Sequence, residues 1–154
     1  FINDIYWLLF PLKAYEDPGA FKLFVTDVGL LGAMGDIDSK TLTDGNRIFE
    51  EFKGALTEQY VLQQLKTLKG LVVCYWSAER SRAEVDFLVQ YSGKVVPVEV
   101  KAEENLKAKS LKSFCEKYSP ETAVRTSMSF FREEVWMTNL PLYAIGQLPG
   151  LIES

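Results

Sequence analysis

Asp86 is followed thirteen positions later by Glu99, and Glu99 two positions later by Lys101. Carboxylates so far apart in the chain can act together only if the chain folds back between them. The turn dipeptide Ser92-Gly93 stands midway and predicts that it does, as a hairpin of 83–91 and 94–101. Side chains alternate along a strand, so Glu84, Asp86 and Leu88 should take one face and Val85, Phe87 and Val89 the other. On the second strand Glu99 and Lys101 should share a face, opposite Val98 and Val100. Asp86 and Glu99 would then approach each other across the pair. Facing like charges are destabilising, and a divalent cation removes that cost. Mg²⁺ in particular takes one or two carboxylates together with water and phosphate oxygens. Lys101 beside them could position or deprotonate a water, or neutralise negative charge developing at phosphorus.

Glu58 supplies a further carboxylate. It stands one turn after Gly54 and Ala55 and one turn before Val61 and Leu62, on or beside the apolar stripe of a long helix. A glutamate in that place needs a partner. A lysine or arginine is one answer and a share in a metal site is another. Carboxylates and a lysine drawn from a helix and two adjacent strands can serve metal-assisted phosphodiester hydrolysis without an imidazole.

No imidazole is available, because the 154 residues contain no histidine. Ser–His–Asp and Cys–His catalysis and histidine-ligated zinc or iron are excluded. The two cysteines, Cys74 and Cys115, lie among apolar and aromatic neighbours and cannot form a four-thiolate site. They read as buried reduced thiols, which fits the cytoplasm. No apolar run is long enough to span a membrane. The composition, 47% hydrophobic and 25% charged, is that of one ordinary domain with a substantial core.

The net charge of −4 argues against general nucleic-acid binding, but the charge is uneven. Residues 54–119 hold 10 basic and 8 acidic side chains, a balance of +2, with Lys107, Lys109 and Lys112 crowded into one short segment. That segment is either a solvated helix face or a patch that faces phosphates.

The elements that must position these residues follow from the patterning. Residues 1–21 contain Pro11, Pro18 and Gly19 and read as an irregular lead-in, the tail of an upstream domain; 22–154 form the domain proper. A strand is expected over 21–26, and Asp27 should cap a short helix reaching Met34. Apolar residues recur at spacings of three and four from Asn46 to Lys69, a long helix that Gly70 ends. A strand over 71–76, the hairpin, a second helix starting near Asn105 and running to Tyr118, and a strand over 121–128 complete the series. The whole is an α/β fold with a mixed central sheet flanked by helices.

The runs Glu84-Val85-Asp86-Phe87 and Pro97-Val98-Glu99-Val100-Lys101 resemble those of the PD-(D/E)XK, or restriction-endonuclease-like, superfamily, with Val85 in the proline place. The element order from Asn46 to Met128 is similar to that superfamily's αβββαβ core. More narrowly, the chain resembles the uncharacterised C-terminal domain that follows a P-loop ATPase module of the AAA+ type in bacterial and archaeal proteins. Lys22-Leu23-Phe24, Asp27-Val28-Gly29-Leu30-Leu31, Gly54-Ala55-Leu56-Thr57-Glu58, Tyr75-Trp76, Ser110-Leu111-Lys112-Ser113-Phe114 and Pro141-Leu142-Tyr143 carry that likeness. The resemblance implies a nuclease-like domain that needs Mg²⁺ or Mn²⁺ and no organic cofactor. It implies Asp86, Glu99, the Val100 carbonyl and Glu58 as metal ligands, Lys101 as the catalytic lysine and Glu84 as an accessory. Lys107, Lys109 and Lys112 would steady a nucleic-acid backbone. Nucleic acid and an upstream ATPase domain are the implied partners. The helix after Lys101 lacks the Gln-X-X-X-Tyr motif of the RecB-type branch, and no phosphate-binding loop occurs in these residues, so the fragment itself should not hydrolyse ATP. The alternative is a catalytically inactive docking or regulatory module that keeps the same fold.

Overall fold

A computed structural model describes residues 1–5, 10–36, 47–78, 83–102 and 107–154, with the backbone alone described for 47–51. The expected helix starts at Asn46 and Asn105 lie outside the described residues, but 107–108 are not helical and the second of these helices begins later than expected, at Lys109. Eight strands form one mixed sheet: β1 (Ile2–Ile5), β2 (Glu16–Lys22), β3 (Val72–Ser77), β4 (Glu84–Tyr91), β5 (Lys94–Lys101), β6 (Val124–Ser127), β7 (Arg132–Glu133) and β8 (Thr138–Pro141). Their order across the sheet is β2-β1-β3-β4-β5-β6-β8-β7. The helices are α1 (Val28–Met34), α2 (Arg47–Thr67), α3 (Lys109–Tyr118) and α4 (Leu148–Glu153). From α2 to β6 the series is helix, three strands, helix, strand, as the patterning predicts. Among the described residues no helix is long and apolar enough to cross a membrane.

The sheet is covered on both faces. Val61, Leu62 and Leu65 of α2 pack with Phe87, Val96, Val98 and Val100, and Leu148 and Ile152 of α4 join that cluster. Leu111 and Phe114 of α3 pack with Cys74, Trp76, Val85 and Leu88 in the second cluster. Apolar residues at helical spacing thus become one buried stripe on each helix, and strand alternation divides the sheet's valines between two layers. Asp27 caps α1 as expected, its Oδ1 accepting from the Leu30 amide at 3.0 Å. The long helix ends at Thr67, three residues before Gly70, whose backbone is left-handed at φ +82°.

The turn between β4 and β5 has both central residues left-handed, Ser92 at φ 48° and Gly93 at φ 78°. That geometry matches the twist of the flanking strands and sets the register Tyr91↔Lys94 through Phe87↔Val98.

Two expectations are corrected. The lead-in is not irregular: β1 and β2 lie within it, pair antiparallel, and join the sheet through parallel pairing of β1 with β3. The strand expected over 21–26 accordingly starts and ends earlier, at Glu16 and Lys22. Pro18 and Gly19 are tolerated because β2 is an edge strand with one side unpaired. Second, β4 does not alternate evenly. Val85 packs in the α3-side cluster with Leu88, while Phe87 and Val89 pack on the α2 side. The cause is a bulge: Cys74 pairs with Leu88 and Trp76 with Val85, so β4 carries one residue more than β3 across that interval. The extra residue falls at Asp86 and Phe87.

Candidate active site

The bulge sits where the ladder between β4 and β5 ends. Beyond Phe87↔Val98 the pairing stops, and the Val100 amide instead donates to the Asp86 carboxylate, Oδ2, at 2.7 Å. A side chain has replaced a backbone partner, which fixes Asp86 between the two strands. The neighbouring Lys101 Nζ lies 2.6 Å from Glu99 Oε1. Glu99 is 5% exposed, and its second oxygen, Oε2, is buried with no hydrogen-bond partner among the described residues. An unmet carboxylate oxygen inside a protein is costly, and such groups call for an explanation.

Glu58 comes from α2, one turn before the buried Val61 and Leu62. Its Oε2 lies 3.9 Å from the Lys22 ammonium, which also forms an ion pair with Glu84 Oε1. Lys22 is the last residue of β2, and its Nζ lies 5.0 Å from the centre of the Tyr75 ring. Sequence reasoning gave Lys22 no role in the site. No local spacing links it to the helix or the hairpin; contacts between segments remote in sequence, among them the pairing of β1 with β2 and β3, bring it there.

The acidic groups act on one another. Asp86 is pushed up to about 8, first by burial and then by the charges of Glu58 and Glu99; the Val100 amide and Lys22 offset this only in part. Burial also raises Glu58, with Glu84 and Glu99 adding to it against Lys22 and Lys101. Lys22 is raised although burial opposes it, because Glu84, Glu58 and Asp86 all favour its charged form. Burial and the neighbouring carboxylates thus favour the protonated form of Asp86 while the site holds no further cation.

Glu58, Glu84, Asp86, Glu99 and Lys101 thus share one electrostatic neighbourhood, with Lys22 added. Lys107, Lys109 and Lys112 are exposed at and beside the start of α3, and among the described residues none of them forms a salt bridge with the cluster. Among the described residues no three carboxylate or thiol side chains converge as a ready-made cage for a metal ion. The donors are all oxygens, which suits a hard cation that keeps most of its water, and Glu99 Oε2 has no partner among the described residues. The chemistry of the donor set fits Mg²⁺ or Mn²⁺.

A family profile described as "Domain of unknown function (DUF4143)" matches residues 53–143. The chain belongs to the DUF4143 family. The matched stretch contains Glu58, the hairpin, α3, β6 and β8, so the described acidic cluster lies within the DUF4143 domain except for Lys22. A search of curated proteins gives no match.

Proposed function

We propose that this DUF4143 domain is a metal-dependent phosphodiesterase of the PD-(D/E)XK type that acts on nucleic acid and works beside an ATPase module in the complete protein. The observation that carries the reading is the meeting of Asp86, Glu99 and Lys101 at the end of one hairpin, with Glu58 close enough for its charge to raise Asp86. Asp86 and Glu99 would hold Mg²⁺ or Mn²⁺, with Glu58 and the Val100 carbonyl as further oxygens. When bound, that cation supplies a Lewis acid for the scissile phosphate. Lys101, oriented by Glu99, would place a water in line with phosphorus; the water oxygen bonds to phosphorus as the bond to the leaving oxygen breaks, the water's proton passing to bulk solvent and the leaving oxygen taking a proton from solvent. Lys107, Lys109 and Lys112 are exposed and free to meet phosphates further along the strand. Cys74 and Cys115 are free thiols, pushed by burial to about 12 and about 11, so neither acts as a nucleophile. Unpaired thiols also agree with a cytoplasmic setting.

The test is a nuclease assay with Mn²⁺ or Mg²⁺ on single- and double-stranded DNA and RNA, using the complete protein and this domain. Lys101→Ala should lower the rate by about 100-fold or more, and Asp86→Ala should abolish both turnover and the rise in melting temperature on adding metal. Equal rates for wild type and Lys101→Ala would refute the reading. A docking module without activity is the second reading, favoured by the absence of a three-carboxylate cage among the described residues and by the net charge of −4. It predicts binding to a partner domain with no cleavage of any substrate.

A further inference from the structure

Lys22 lies outside the stretch that the family profile matches, yet it reaches into the acidic cluster. Its place is held from several sides. Lys22 pairs with Ile2 across β1 and β2. Just beyond it, the buried Gln59 of α2 grips the backbone of Val25 twice, accepting from its amide at 3.1 Å and donating to its carbonyl at 2.9 Å. The strand end is therefore fixed to the helix that carries Glu58. The ammonium then bridges two carboxylates from different elements, Glu58 of α2 and Glu84 of β4.

The charges around it are lopsided. Among the described residues, the cations paired with Glu58, Glu84 and Glu99 are Lys22 and Lys101. Lys101 is engaged with Glu99 on the hairpin, and Lys22 is a cation at the helix side of the cluster. Besides the acidic groups, the buried Glu99 Oε2, which has no hydrogen-bond partner among the described residues, points to a ligand at this place. A divalent cation drawn to that oxygen and to Asp86 would also draw on Glu58, and Glu58 is in the field of Lys22.

We propose that Lys22 is a built-in counter-ion of this site, holding Glu58 and Glu84 in the absence of a divalent cation and competing with that cation for them. Lys22 has this role only if the cluster binds a cation, as proposed above. It would then set how much free metal the site requires. It also gives the segment ahead of the family-matched stretch a part in the site: β2 delivers a charge to the helix and the hairpin.

Mn²⁺ binding by calorimetry, with melting temperature in parallel, tests this on the wild type, Lys22→Met and Lys22→Arg. Lys22→Met keeps the aliphatic stem beside Tyr75 and removes the charge. A unit charge within about 4–6 Å shifts a neighbouring ionic equilibrium by roughly ten-fold or more, so Lys22→Met should bind Mn²⁺ roughly ten-fold tighter and melt with a larger metal-induced rise. Lys22→Arg should stay near wild type. Equal or weaker binding by folded Lys22→Met, with wild type still binding, overturns the role of Lys22 and leaves the cation site standing. No binding by any of the three proteins overturns the cation site itself. If Lys22→Met does not fold, the Lys22 side-chain NMR resonance of the wild type decides: it should move on titration with Mg²⁺, and an unchanged resonance overturns the proposal.

Discussion

Asp86 is the residue on which the local physics of the site converges. Its carboxylate accepts from the Val100 amide in place of a strand partner, and it sits within the fields of Glu58 and Glu99. An unfolded aspartate releases its proton near pH 4, whereas the folded one holds it to about 8. The folded state therefore binds more protons across that interval, and its stability falls as pH rises through it. In metal-free buffer the Asp86 contribution is fully present below about pH 4 and is lost by the time pH passes about 8. Urea titrations over this range should show that decline in the wild type and a flatter profile in Asp86→Asn. Superimposable profiles would mean that the Asp86 proton is not retained on folding.

At the scale of elements, the hairpin and the long helix do different work. The β4–β5 turn sets which residues meet at the far end, and it needs left-handed backbone at Gly93. A Cβ added there would meet nothing within 4 Å, so the cost of Gly93→Ala is conformational alone, about 1 kcal/mol. Chemical denaturation should show that loss with no change in Mn²⁺ binding. A larger loss would mean that the turn packs against something. Helix α2 was legible because its apolar residues recur at helical spacing over several turns, and the hairpin because two alternating runs flank a turn dipeptide. The β4 bulge was not legible. An extra residue leaves the same amino acids in the same order, and only pairing with β3 shows that Val85 and Phe87 face opposite layers.

For the whole molecule, the sheet extends beyond the family-matched stretch to β1 and β2. Ile2 and Ile5 are buried, each in a different layer of the core, and Asp4 binds both the amide and the hydroxyl of Ser77 at the end of β3. Burial of one such side chain is worth about 1.5–3 kcal/mol. Deleting residues 1–22 also uncovers the edge of β3, whose middle residues are buried, and an exposed apolar edge invites pairing with other chains. The truncated protein should melt well below the parent and elute as aggregates in size-exclusion chromatography. A monomeric truncation with the parent's melting temperature would show that β1 and β2 are dispensable additions.

The sequence by itself determined which chemistries are open and which elements carry them. With no histidine and two isolated cysteines, the candidate site had to consist of carboxylates and lysines, and local periodicity placed Glu58 on a helix and Asp86, Glu99 and Lys101 on a hairpin. Periodicity and turn preferences act over a few residues, so they can be read along the chain. Tertiary structure alone decided that Lys22 joins the cluster, that the Val100 amide holds Asp86, and that one oxygen of Glu99 is buried with no partner among the described residues. Each of these depends on distances between segments remote in sequence, and strand pairing and packing, not local preference, set those distances.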